Sequence, residues 1–363
     1  MASNLHGAAR RRRWGATAVA LGPVLALLAV AAPAPARSAP TDLSPTGACA
    51  QGPAPAARPS RAVAGLIGQY GEAGAVRDVS EVCGTLVLTG PGFESARLTP
   101  LGGRRYRATD TAGRSVVAAF DDGAVSLDEN RLQKHDFGAE TQARIRAEVH
   151  ADAGGLRAAA LAASPPTEPP PRRASDLVSL PALDPSIRLH TLYAGTDNFM
   201  GVRIYERAGA YLQRPAAEAL VRVSAALKGR GLGLLVTDAY RPWFATKMFW
   251  DATPLADHNF VADPAQGSRH NRGCAVDLTL YDLKTGRPVE MTGRIDEMST
   301  RSAADFKGGT SRQRWYRDRL RAEMERQGFT VYPDEWWHFD YKDWSDYGIG
   351  VATYTALASG AAR

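Results

Sequence analysis

Two short stretches hold the side chains best suited to chemistry. In SRHNRGCAVDLTL, Ser268 to Leu280, His270 and Asp277 stand seven residues apart, across Gly273 and at the mouth of an apolar run. In EWWH, Glu335 precedes His338 by three residues. Two imidazoles and one carboxylate are what a catalytic zinc needs: three protein ligands, with the fourth position left to water. The spare carboxylate, Glu335, is then available to take a proton from that water. Cys274, four residues after His270, is read instead as a small buried residue on the strand, because free cysteine packs as a small hydrophobe.

Those residues need elements that aim them at one point. Residues an odd number apart on a straight strand face opposite ways. His270 and Asp277 therefore need the bend that Gly273 permits, and Glu335 and His338 pose the same difficulty. Around them the pattern is mixed. PAAEALVRVSAALKGRG has helical spacing and a glycine stop, LGLLVTDAYRP reads as a buried strand closing at Pro242, RQRWYRDRLRAEMERQG is an amphipathic helix, and FTVYPDEWWHFDY is rich in strand formers. This alternation predicts an α+β domain over residues 181–358.

Upstream, proline-rich stretches at 37–62 and 164–180 predict extended linkers. Between them, residues 63–163 read as a small strand-rich accessory domain, with GTLVLTG, RRYRATD and SVVAAFDDGAVSL as strands and AETQARIRAEVHADAGGLRAAALAA as helix. His135 and His150 have no ligand-spaced partner and are read as surface or packing residues. The function of this region is not legible in its sequence.

Four arginines, Arg10 to Arg13, precede an apolar run that ends in Ala-rich sequence, the order of a signal peptide spanning residues 1–36. The expectation is export to a periplasmic or extracellular compartment, by either the general or the twin-arginine route, with no stable membrane span after cleavage. The formal charge of +6 falls to 6 − 4 = +2 without those arginines, since residues 1–36 hold no acid. A nearly neutral remainder gives no reason to invoke nucleic acid. Of the three cysteines, Cys49 and Cys83 can pair in an oxidising compartment, an arrangement the sequence leaves open.

The motifs resemble a known family. SRHNRGCAVDLTL and EWWH are similar to the two zinc motifs, S-x-H-x-x-G-x-A-x-D and E-x-W-H, of the zinc D-alanyl-D-alanine peptidases. With YAGTDNF, DAYRP and GRIDEM in the same order, the stretch from Tyr193 to about Ala358 resembles the D-alanyl-D-alanine dipeptidases of the vancomycin-resistance type. The resemblance covers none of the N-terminal half.

It implies a hedgehog-like α+β fold and one zinc per chain, held by His270, Asp277 and His338, with Glu335 as catalytic base. Arg241 matches the arginine that steadies the tetrahedral intermediate, and Tyr193, Ser268 and Asp296 match positions that hold a short D,D-peptide, with Asp296 suited to a free ammonium. Trp336 and Trp337 are read as walls of the site. Ile295 departs from the family, which usually has phenylalanine there. The implied activity is hydrolysis of the D-alanyl-D-alanine dipeptide to D-alanine. Export favours a role in wall-peptide turnover over antibiotic resistance, and the N-terminal domain is expected to offer contact with wall polymer. Two other readings stay open: a carboxypeptidase or endopeptidase acting on intact wall peptides, and, more distantly, a zinc-containing binding module. A binding module needs neither Glu335 nor Arg241.

Overall fold

Short alternating segments punctuated by glycine build the first sheet. In the computed structural model, which describes Gly52 and residues 55–360, its strands are β1 (Gly68–Tyr70), β2 (Arg77–Val82), β3 (Thr85–Gly90), β4 (Phe93–Arg97), β5 (Thr99–Gly102), β6 (Arg105–Thr109), β7 (Ser115–Asp121), β8 (Ala124–Leu127) and β9 (Asn130–His135). They pair antiparallel in the order β4-β3-β2-β1-β9-β8-β7-β6-β5. On β7, Val116, Ala118 and Phe120 are buried while their neighbours are more open, the period of two expected when only one face is covered. Tyr70 and Tyr106 meet the Phe120 ring edge-on, with centroids 5.9 and 5.7 Å away.

The sequence predicts one helical stretch after this sheet, and two helices form: α1 (Phe137–Ala151) and α2 (Ala153–Ala162). Asp152 separates them in a non-helical conformation and caps α2 by accepting from the Gly155 amide at 2.8 Å. Ile145, Val149 and Ala160 do not join the core of the sheet. They pack in one cluster with Tyr193, Phe199, Phe249 and Met298. Packing therefore divides the expected 63–163 unit: its strands keep their own core, and its helices complete the downstream one.

The stretch expected as a linker at 164–180 is partly structured. Residues 164–176 form no helix or strand, but β10 (Leu177–Ser179) already pairs with β12 (Tyr211–Gln213). The proline-rich segment is also tied down. Glu168 accepts from the Ile349 amide at 2.9 Å and pairs with Arg272, and the Arg173 amide donates to the Asp346 carbonyl at 3.0 Å. It is a docked strap rather than a spacer.

The second sheet runs β11 (Arg188–Leu189), β13 (Leu232–Asp238), β14 (Ala275–Asp282), β16 (Glu335–Tyr341), β15 (Phe329–Tyr332); β11 and β13 are parallel, and the other pairs are antiparallel. From Ala275 to Tyr281 every residue of β14 is buried. Covering both faces demands a near-continuous apolar run, and Asp277 is the charged residue that breaks it. Helix α3 (Arg214–Lys228) starts with Pro215 in its first turn and buries Ala216, Leu220, Val223 and Leu227 at helical spacing. Helix α4 (Trp243–Ala252) packs against α1 and α2. Helix α5 (Ser311–Arg326) opens with a capping box between Thr310 and Gln313.

Glu81 of β2 joins the two halves. Its carboxylate accepts from the Ser311 amide at 2.8 Å, at the N-terminus of α5, and its carbonyl accepts from Arg314 at 2.8 Å. All described residues fall in one compact unit. The architecture is α+β with a strand-rich N-terminal region. Cys83 is disulfide-bonded, and Cys274 is buried and free. The expected signal peptide, most of the 37–62 linker and Cys49 lie outside the described residues. Among the described residues no helix is long and apolar enough to cross a membrane.

Candidate active site

Strand register builds the site. Asp277 on β14 stands opposite Asp238 on β13 and His338 on β16, so three acidic or imidazole side chains come level on adjacent strands. His270 arrives from the turn before β14, so strand parity does not apply to it. Gly273 closes that turn at φ +67°, and a Cβ there would stand 2.4 Å from Leu177 Cδ2. Only glycine satisfies both demands.

The second parity problem is solved by a bulge. Val331 pairs with Phe339, but the next residue, Tyr332, pairs with Glu335, which leaves Trp336, Trp337 and His338 as extra residues on β16. The bulge lets Glu335 and His338 enter one cavity. Trp337 lines that cavity, whereas Trp336 lines a neighbouring one, so only one of the two tryptophans walls the site.

The three candidate ligands converge. His270 Nε2 lies 3.0 Å from His338 Nδ1 and 3.3 Å from Asp277 Oδ2, and His338 Nδ1 lies 3.1 Å from Asp277 Oδ1. Ligand atoms about 2.0 Å from a shared tetrahedral centre stand about 3.3 Å apart, so this spacing fits zinc. The far ring nitrogens are already engaged: His270 Nδ1 donates to the Ala239 carbonyl at 2.6 Å, and His338 Nε2 donates to Asp340 at 2.9 Å. Each such bond fixes the tautomer and leaves the inward nitrogen a lone pair for metal. Burial would raise Asp277, but His270 and His338 hold it well below the usual carboxylate range. Burial would lower His338, yet Asp340 and Asp277 push it well above the usual imidazole value.

Arg241 is buried and fixed. Its Nε donates to Asp238 at 2.9 Å, its Nη2 lies 3.6 Å from Asp277, and its guanidinium stands 4.7 Å from the Phe249 ring centroid. Asp238 is held in turn by the Tyr205 hydroxyl at 2.9 Å. Burial opposes the charge on Arg241, but Asp238, Tyr193, Tyr205 and Asp277 together outweigh it and raise the pKa further, so the cation is permanent.

Across the cavity, Asp296 adopts a left-handed backbone at φ +58°, and its carboxylate accepts from the Tyr193 hydroxyl at 2.9 Å. Burial, reinforced by Asp277, pushes Asp296 up to about 7. Glu335, 3.7 Å from His338 Nδ1, is pushed up to about 8 by burial, with His338 opposing and Asp277 and Asp296 adding to the rise. Ser268 supports His270 directly, its hydroxyl accepting from the His270 amide at 3.2 Å.

All eight residues singled out in the sequence line one cavity of about 460 Å³: Tyr193, Arg241, Ser268, His270, Asp277, Asp296, Glu335 and His338. A family model described as D-Ala-D-Ala dipeptidase matches residues 173–352. A D-alanyl-D-alanine dipeptidase of Escherichia coli K12 is 36% identical over 185 residues, covering 51% of this chain and 94% of that protein. The chain belongs to the D-Ala-D-Ala dipeptidase family. Dipeptidases of Enterococcus faecium, at 35% identity, and Enterococcus faecalis, at 34%, each match 43% of this chain and 87% of their own length.

Membership makes the chain a zinc-dependent hydrolase. The matched region begins at residue 173, inside the proline-rich strap, which agrees with β10 being part of this dipeptidase-family fold. Three supporting residues escaped the sequence reading. Asp238 opens DAYRP and anchors Arg241, and Asp340 follows His338 in EWWHFDY and orients it. Asn271, 1% exposed, accepts from the Ser268 amide at 2.7 Å and donates to the Arg241 carbonyl at 2.8 Å. All three sit within motifs already quoted, and a search for partners of Arg241 and His338 finds Asp238 and Asp340. The rim stretch from His258 to Gly267, which also lines the cavity, carries no comparable signal.

Proposed function

We propose that this enzyme hydrolyses the free dipeptide D-alanyl-D-alanine to two molecules of D-alanine. The observation that carries this reading is Asp296. Its carboxylate faces the same cavity as the metal-ligand cluster, and among the described residues its side-chain hydrogen bond comes from the Tyr193 hydroxyl. A buried carboxylate is costly without a cation. A substrate's free ammonium group supplies one and sets the distance from the N-terminus to the scissile bond at one residue.

His270 Nε2, Asp277 and His338 Nδ1 would hold the zinc, which when bound supplies Lewis acidity and makes water a nucleophile near neutral pH. Glu335 takes the proton from the attacking water and passes it to the leaving amine. Arg241, immobilised by Asp238, directs its donors at the charge developing on the carbonyl oxygen and needs no reorganisation during the reaction. Asp296 and Tyr193 hold the ammonium end. The signal-peptide pattern supports export, and release of wall fragments in that compartment supports a role in cell-wall peptide turnover. An exposed strand-rich region supports contact with wall polymer.

The test is a substrate panel. The expected result is efficient hydrolysis of D-Ala-D-Ala, little of the N-acetylated dipeptide, and almost none of a pentapeptide ending in D-Ala-D-Ala. Pentapeptide cleavage at or above the dipeptide rate would replace this reading with a carboxypeptidase.

A further inference from the structure

The turn that carries Asp296 is gripped from outside the family-matched region. Gln142 of α1 donates from Nε2 to the Asp296 carbonyl at 2.9 Å. Asp136, which caps α1 by accepting from the Ala139 amide at 3.1 Å, also receives both Arg294 nitrogens, at 2.8 and 2.7 Å. In the first turn of α1, a Cβ on Gly138 would stand 2.3 Å from Glu297 Cγ, so glycine lets the helix lie directly on this turn. From the inner side, Glu297 accepts from the Arg294 amide at 2.8 Å and from Ser299 at 2.7 Å.

Asp296 needs such a grip. A left-handed conformation is disfavoured for L-residues, though least for asparagine and aspartate, and partners on both sides hold it here. Glu297 fixes the turn from within, and α1 fixes the carbonyl of Asp296 itself. Asp136, Gly138 and Gln142 all lie upstream of residues 173–352.

We propose that Gln142 is a positioning residue for Asp296, so that the N-terminal region completes the specificity pocket of the catalytic domain. Gln142 holds the backbone carbonyl, the left-handed turn stays formed, and the carboxylate keeps its bond to Tyr193 and its aim at the ammonium. The bidentate Asp136–Arg294 pair registers α1 against the same turn. This proposal rests on the assignment of Asp296 to the substrate's ammonium group.

The test uses the full chain loaded with zinc. Gln142→Met keeps the length and helix preference of the side chain and removes the donor. A net hydrogen bond of about 0.5–1.5 kcal/mol predicts a KM for D-Ala-D-Ala raised roughly 2- to 10-fold, with kcat within twofold and the preference for free over acetylated dipeptide falling by the same factor. Asp136→Ser, which keeps the helix cap but loses the Arg294 pair, should move KM the same way by less. Unchanged KM and preference in a dipeptide-active enzyme would overturn the proposal. So would a drop in kcat, zinc content and Tm together, which marks general loosening. If the wild type cleaves no free dipeptide, the functional reading falls separately, and a crystal structure of Gln142→Met still decides the positioning. Departure of Asp296 from the left-handed region supports it, and an unmoved turn overturns it.

Discussion

The two sheets use the same charged residue types to opposite ends. On the first, Arg104 pairs with Asp122 at 2.8 Å, with the aspartate fully exposed, and Arg131 pairs with Asp121, both about half exposed. Such pairs sit in water, are screened by salt, and add little to stability. On the second, Asp238 and Asp277 are 1% and 3% exposed, and Arg241 is 8% exposed. Removed from water, these groups polarise one another and shift in pKa, and they have few alternative partners. Burial at the strand ends, rather than residue type, separates the exposed pairs of one sheet from the candidate site of the other.

Substitutions sharpen that contrast. Glu335→Gln, which keeps the shape of the base but not its proton affinity, should lower kcat by about 10²- to 10⁴-fold, as loss of a general base does. Asp121→Asn, on the exposed sheet, should leave steady-state kinetics unchanged. A comparable loss from both would erase the distinction. Next in size, Arg241→Ala should cost about 10²- to 10³-fold in kcat with a smaller change in KM, and Arg241→Lys should rescue poorly because it cannot keep both its bond to Asp238 and its aim at the substrate. An effect confined to KM would move Arg241 to ground-state binding.

A smaller effect concerns pH and stability in chelator-treated, metal-free protein. The Asp296 carboxyl has an ordinary value of 3.8 and is pushed up to about 7 in the fold. As pH rises from about 4 to 7 the unfolded chain ionises while the folded one keeps its proton, so stability falls through that window and stays reduced above it. Asp296→Asn removes this penalty. Its Tm should match the wild type near pH 4, exceed it progressively up to pH 7, and hold a constant lead beyond. A lead that is largest at low pH would contradict the assigned shift.

Much of the second sheet was legible because its motifs carry side chains that covalent chemistry and burial rarely place together by accident. His270, Asp277, Glu335 and His338 were read from types and spacing, and Gly273 from the bend they required. The EWWH bulge was not readable. It depends on how three extra residues on β16 meet β15, a pairing between segments rather than a local property. Asp238 and Asp340 were passed over because an aspartate within a motif looks like any other until its partner is in place. The boundary at residue 163 followed composition, whereas α1 and α2 followed their apolar faces, Ile145 and Val149, onto the wall beside Tyr193. Proline content marked residues 164–180 as extended, which residues 164–176 are, but could not show that Glu168 ties the strap to Arg272.

Metal analysis paired with turnover tests most directly the proposal that three side chains hold a metal while a fourth moves a proton. Purified wild type and Glu335→Ala should each carry about one zinc per chain, as expected for a site with three protein ligands and an open position, and only the wild type should turn over. His270→Ala, Asp277→Ala and His338→Ala should lose zinc and activity together. Loss of zinc from Glu335→Ala, or full retention in the three ligand variants, would contradict the assignment.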